Sequence, residues 1–350
     1  MDAINSKTLI AAVFSLLLFA SCGHSDTDGI KKIFFSGIDY VDVGSLADAG
    51  FLVKQRINTF SDDKETTLGT VDKLIVKGER IYALDDAMRR IVVFSQRLGV
   101  PEMVLNRRGR GPEEYQNITD FDIDEDGNII ILDSRKNNII TYSADGRFIK
   151  KKKQPFDLCG IKVLPGGSYL CSVAPWDIKR AAGYRVIVAD TSLVVTDKSI
   201  KASNRVDPNF TFPGYPFSES NGMIFYNVPI DDDVHVFSKN GSLDDVYHFN
   251  FGAQIVPGRI RKSVERHMKE ISDCVFLVNT ISINDSLICG AVDYRGSFKN
   301  FVLSRNEDHG YLIDIISTGM VFLTEYAGDY YWCNNSTGEI LKCSYSGSKR

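Results

Sequence analysis

Residues Ile118–Lys150 read ITDFDIDEDGNIIILDSRKNNIITYSADGRFIK, and they spell four short strands in a row. Ile118 to Ile123 alternates apolar and polar residues as a half-buried strand does, and Gly127-Asn128 turns the chain. Ile129 to Leu132 is a run long enough for a strand and too short for a helix. A loop at Asp133 to Asn138 leads to a third strand at Ile139 to Ser143. Asp145-Gly146 then forms a hairpin turn whose glycine accepts positive φ, and Arg147 to Lys150 begins the fourth strand. Four such strands make one propeller blade, whose two apolar faces it cannot bury by itself.

The same pattern recurs along the chain. Shifting the sequence by 48 residues superposes Asp72 on Asp120, Ile75 on Ile123, Ile81 on Ile129 and Leu84 on Leu132. It also superposes Asp85 on Asp133, Ile91 on Ile139 and Ser95 on Ser143, and sets Phe94 against Tyr142. Chance gives roughly one or two identities in such a window, so the repeat is real. Weaker copies begin near Cys159, Phe217, Cys274 and Thr318, which with Val71 and Ile118 makes six blade starts. The expected fold is an all-β, six-bladed β-propeller of four-stranded antiparallel blades, a closed ring that leaves only short edges. Ile38 to Val43 and Leu52 to Ile57 read as strands ahead of the first blade, and an N-terminal strand closing the last blade belongs beside Ile340 to Cys343. One short helix is expected between blades four and five. In Val256 to Ile271 Pro257 suits a helix start, and Ile260, Val264, Met268 and Ile271 share one face.

The first residues follow other rules. Lys7 gives a positive start, and Leu9 to Phe19 is an apolar run too short to span a bilayer, as in a signal peptide. Ala20 and Ser21 precede Cys22, which resembles the lipidation site of bacterial lipoproteins, although Phe19 stands where leucine is usual. The domain reading is therefore 1–21 signal peptide, 22–32 flexible tether and 33–350 a single propeller, with Ser25 to Asp28 resembling the acidic tether of surface-exported lipoproteins. A composition of 43% hydrophobic and 25% charged residues fits an ordinary globular fold, and the net charge of -4 excludes nucleic acid as the expected partner. The expected address is the outer membrane or cell surface, with contact to the membrane through the lipid anchor only. Six further cysteines, Cys159, Cys171, Cys274, Cys289, Cys333 and Cys343, lack zinc-site spacing. They permit fifteen pairings, and buried thiols serve equally well.

Asn106 to Tyr115 reads NRRGRGPEEY and is followed by the strand ITDFDID. This resembles the signature of the six-bladed β-propeller lipoproteins of Bacteroidota, with NHL-like repeats and uncharacterised activity. Glu113 stands where that family usually has glycine. The resemblance runs from about Ile33 to the C-terminus, and it is strongest over the first two blades.

Strand direction sorts the connections. The loops joining strands two and three, and those joining blade to blade, emerge at one end of the ring, and the tight turns emerge at the other. The loop-rich end is the candidate binding face, with Arg107, Arg108, Arg110, Glu113, Glu114, Arg135, Trp176, Asp231, Asp232 and Asp233 as its candidate residues. The three arginines beside Gly109 and Gly111 suit a phosphate or carboxylate; the plainer reading is a crossover in which Arg and Glu pair with one another. Trp176 offers a stacking platform, and Asp231 to Asp233 offer three carboxylates for a divalent ion or a solvated loop. Asp122, Asp124, Asp126, Gly127 and Asp133 imitate the spacing of a calcium loop, but Asp133 replaces the bidentate glutamate and the intervening strand argues for a hairpin. No nucleophile elbow or zinc motif occurs, so no catalytic residue is assigned. Asp285-Ser286-Leu287 matches a short acceptor pattern for O-glycosylation at Ser286.

Two functions follow. The first is a non-catalytic binding module for a protein or glycan partner at the cell envelope. The alternative is a metal-dependent propeller hydrolase resembling gluconolactonases, with one divalent cation such as calcium held in the channel and Asp72, Asp120 and Asp122 among its ligands. Fold by itself does not choose between them.

Overall fold

The alternating segments form six antiparallel sheets in chain order, and each is one blade. The computed structural model describes residues 30–60, 63–203, 205–207, 210, 214–306 and 309–347; the expected signal peptide, Cys22 and residues 23–29 lie outside them. The inner strands are Lys73–Lys77, Asp120–Ile123, Leu158–Val163, Phe217–Ser220, Val275–Ile283 and Met320–Tyr326. Each starts within two residues of the position read from the repeat. Local turn chemistry fixes the hairpins. Asn221 and Gly222, at φ +49 and +74, make the turn with two positive φ angles that matches strand twist, between the first two strands of blade four.

The ring closes through Phe51–Asn58, which runs antiparallel to Glu339–Tyr345 and sets Ile57 opposite Ile340 and Val53 opposite Cys343. The earlier segment goes elsewhere. Asp39–Asp42 adds to blade five as a fifth strand parallel to His309–Asp314, and Ile30–Phe34 adds to blade four parallel to Leu243–Asn250. Strand-forming sequence fixes neither partner nor direction; aromatic packing does. Phe35 stacks on Tyr40 at 4.5 Å and meets Phe251 and Phe301, so the link between the added strands is wedged where blades four and five meet. The first strand therefore begins at Ile30, inside the stretch read as tether.

Apolar faces of neighbouring blades share each core cluster. Tyr82, Phe121 and Tyr142 join blades one and two, and Leu287, Tyr311 and Trp332 join blades five and six. Each such buried side chain contributes about 1.5–3 kcal/mol, and that is what holds blade against blade. The outer strand of blade two, Phe148–Lys153, carries four consecutive lysines, which guard an open edge against pairing with another chain. The six cysteines Cys159 to Cys343 remain thiols, five of them buried.

The insert between blades four and five is a series of short turns. Gly258–Arg261 and Met268–Ile271 are helical and Val264–His267 is a tighter turn, broken at Ser263 with φ -157 and ψ 60. Ile260, Val264 and Ile271 are buried as the periodicity requires, and the break turns Met268 outward to 55% exposure. Arg261 fastens the insert. Its Nε donates to Val256 O, its Nη1 to Ile230 O, and its Nη2 pairs with Asp232.

Candidate functional site

Charged side chains interrupt the inner strands, and there they join the blades. Asp120 is fully buried and accepts from Lys73 Nζ of blade one at 2.5 Å and from Ile161 N of blade three at 2.9 Å, so one carboxylate ties three blades. Burial pushes its carboxyl up, against the pull of Lys73. Asp122 accepts from Lys162 Nζ at 3.0 Å and Val163 N at 2.6 Å, and Lys162 reaches on to Glu219 of blade four at 2.8 Å. Lys162 holds the Glu219 carboxyl below its ordinary value. Across the axis Glu325 of blade six accepts from Ser220 Oγ at 2.5 Å and from the amides of Asn221 and Gly328. Lys162, Glu219 and Glu325 escaped the reading of the sequence, yet each stands as an ionisable residue inside a first strand.

Lys73, Asp122, Lys162, Glu219 and Glu325 line an axial cavity of ≈ 550 Å³. Its mouth is rimmed by the first hairpin turns of blades two, three, four and six, with Glu125 and Lys239 at the rim, so it opens at the turn end. Tyr215, on the crossover from blade three to blade four, lines the opposite part, with Lys73 Nζ 5.2 Å from its ring centre.

At the loop-rich end the crossover Asn106 to Tyr115 is a built element. Tyr115 is fully buried; its hydroxyl donates to Arg89 O at 2.9 Å and accepts from Arg107 N at 3.1 Å. A Cβ on Gly109 would stand 1.8 Å from Glu114 Oε2, so glycine there leaves room for the Glu114 carboxylate in its capping position. Glu114 Oε2 accepts from Gly111 N at 2.7 Å, and the carbonyls of Glu113 and Glu114 accept from Tyr142 and Lys151. Arg107, Arg108 and Arg110 are exposed and have no ion pair with a described residue, so the expected Arg–Glu pairing is replaced by glutamate on backbone. Arg135 is exposed on the adjacent loop of blade two.

The remaining candidates are dispersed. Trp176 is 68% exposed and donates from Nε1 to Asp157 at 2.9 Å. The three aspartates diverge. Asp232 is buried on Arg261 and so is not open to a partner, Asp233 binds His248 Nδ1 at 2.7 Å, and Asp231 has no side-chain partner among the described residues. The calcium-like set also diverges. Asp124 Oδ1 caps the amides of Asp126 and Asn128 in its own hairpin, Asp122 faces Lys162, and Asp133 takes Gln116 N at the other end of the blade. Asp72 caps Asp86 N, and with Asp120 and Asp122 already held by lysines these three do not meet as a ligand set. Among the described residues no group of three or more His, Cys, Asp or Glu is placed to hold a metal ion. Ser286 is exposed at the first hairpin turn of blade five.

Fold and channel define the class, a six-bladed β-propeller with blades cemented by ion pairs. The domain of unknown function DUF4934 matches residues 63–343, and the chain belongs to that family. The crystal structure of a Bacteroides fragilis NCTC 9343 protein assigned as exported superposes with a TM-score of 0.71 at 14% identity, covering 91% of this chain and 100% of that one. A member of the DUF4221 family from Bacteroides vulgatus gives 0.51 at 9% identity, over 85% of this chain and 99% of the other. Both likenesses are of fold. No curated protein matches in sequence.

Proposed function

We propose that this chain is a lipid-anchored propeller of the cell envelope, without catalysis of its own, that binds a protein or glycan partner with its loop-rich end. The observation that carries the reading is the crossover of Arg107, Arg108 and Arg110. Three exposed guanidinium groups without an ion pair to any described residue stand on a loop that a buried tyrosine and a capping glutamate hold in place. The polar groups of the channel, by contrast, bind one another across blades. The likeness to an exported protein supports an envelope address, and among the described residues no helix is long and apolar enough to cross a membrane.

Lipidation at Cys22 would also orient the ring. Ile30 enters blade four opposite Val246, in a strand running parallel to one that starts from a turn-end hairpin. Seven residues separate Cys22 from Ile30, and the eight steps between them reach at most about 28 Å, so the turn end stands nearer the membrane and the loop-rich end is presented outward. The test combines two variants in the native host. Cys22→Ala should release the protein from the membrane fraction, and Arg107→Ala/Arg108→Ala/Arg110→Ala should lose crosslinked envelope partners while melting like the wild type. Crosslinks unchanged in the triple variant would overturn the binding-face reading.

A further inference from the structure

At the loop-rich end, hydrogen bonds tie the arginine crossover, the next loop of blade two and the loop that carries Trp176 into one surface. Tyr115 Oη donates to Arg89 O at 2.9 Å, and Gln116 N donates to Asp133 at 2.8 Å, which sets the turn 107–110 against the loop 133–138. Lys151 Nζ donates to Glu114 O and Lys153 Nζ to Lys136 O, each at 2.9 Å, so the lysine strand borders the same two segments. The loop 133–138 is tied in turn to the crossover into blade three. Ser134 Oγ donates to Leu158 O at 2.6 Å, and Gln154 N donates to Asn137 O at 2.9 Å. Asp157, on that crossover, accepts from Trp176 Nε1 at 2.9 Å and donates its amide to Asp177 at 2.7 Å.

On this surface most acids turn inward and the cations turn outward. Asp133 and Asp177 are buried and Glu114 caps Gly111 N, which leaves Glu113 as the exposed acid of the arginine crossover. Arg107, Arg108, Arg110, Arg135 and Lys136 are exposed, and none has an ion pair with a described residue. None of the five lines the axial cavity, so they grip along a surface and not around a pocket. Trp176 is 68% exposed, and its bond to Asp157 fixes the plane of the indole. A protein partner wants a desolvated apolar centre with a charged rim. Here cations run from the crossover through Arg135, and the indole stands beyond them.

We propose that this surface binds a linear polyuronate, a polysaccharide that carries one carboxylate on each sugar. The planar fork of a guanidinium takes a carboxylate through two parallel hydrogen bonds. A sugar ring has an apolar C–H face, which packs flat on a fixed indole. Cations on separate segments meet successive carboxylates of one chain, so affinity grows with chain length. The inference deepens the reading of the loop-rich end as the binding face and rests on it.

The test titrates the mature full chain with hexagalacturonate, galacturonate, neutral dextran and polyglutamate by calorimetry. Saturable binding of hexagalacturonate is expected, tighter than the single sugar by about tenfold or more and weakening as salt rises. Arg107→Ala/Arg108→Ala/Arg110→Ala should weaken it about tenfold or more. Trp176→Ala should weaken it about fivefold and leave any weak attraction of polyglutamate unchanged, because a peptide has no ring to stack. Both variants should melt like the wild type, since the replaced side chains are exposed. Polyglutamate bound as tightly as hexagalacturonate would mark an acidic protein as the partner and overturn the inference, as would equal affinity for dextran or no effect of Trp176→Ala. If the triple variant loses its envelope crosslinks while the wild type binds no hexagalacturonate, the polyuronate falls and the binding face stands. If hexagalacturonate binds wild type and triple variant alike, the face falls with it.

Discussion

Replacing Lys162 by methionine tests whether the channel charges cement the ring. Lys162 is 7% exposed in its side chain and Asp122 is 2% exposed, with 3.0 Å between them. Methionine keeps the aliphatic stem and removes the ammonium, which leaves Asp122 buried with Val163 N as its remaining partner. Breaking a buried pair from one side costs about 3–5 kcal/mol, because the stranded charge is not rehydrated. Glu219 loses the same lysine, but its side chain is 44% exposed, so solvent screens most of that loss. Asp122→Asn by itself still accepts from Val163 N through its amide oxygen and should cost about 1–3 kcal/mol. In the double variant the uncompensated charge is gone, and the total should fall short of the sum of the singles by about 1–3 kcal/mol. Urea denaturation followed by circular dichroism measures all four corners of the cycle. A loss under about 1 kcal/mol for Lys162→Met, or additivity within about 0.5 kcal/mol, refutes the reasoning.

Tyr115→Phe removes a buried hydroxyl that serves Arg89 O and Arg107 N, so a loss of about 1–3 kcal/mol is expected together with faster amide exchange across residues 106–114; unchanged exchange would show that the crossover is held by packing. His248 pairs with Asp233, whose hydrogen bond raises the imidazole above its ordinary value. The raised group stabilises the fold fully below its unfolded pKa of about 6.5, and the effect is lost as pH rises through the higher folded value. The melting gap between wild type and His248→Gln should therefore be wide at pH 5.5 and narrow at pH 9, and a gap independent of pH would refute the pairing.

Much of the fold is legible because strands obey a period of two and their turns obey local rules. The repeat of Asp72 to Ser95 in Asp120 to Ser143 needs no three-dimensional information, and it places the blade starts within two residues. Segment 52–57 reads as a strand from its residues and duly closes blade six. Segment 38–43 reads equally well and pairs elsewhere, because strand propensity carries neither direction nor partner. Of the candidate site residues, the crossover arginines are placed by topology, which follows from strand order. Asp232 was drawn under the insert by Arg261, 29 residues away, and nothing within three adjacent aspartates announces which one is taken.

The sequence by itself determined the class of fold, the number of blades and the loop-rich end, all of which rest on periodicities and turn signals a few residues long. Only the tertiary structure decided which charges meet. Arg56 pairs with Glu339 across 283 residues, Glu325 reaches Ser220 across 105, and Lys162 reaches Asp122 across 40. Such contacts depend on where six blades bring the ends of side chains, within tolerances of about 0.5 Å for a hydrogen bond. Spacing along a chain holds no information of that kind.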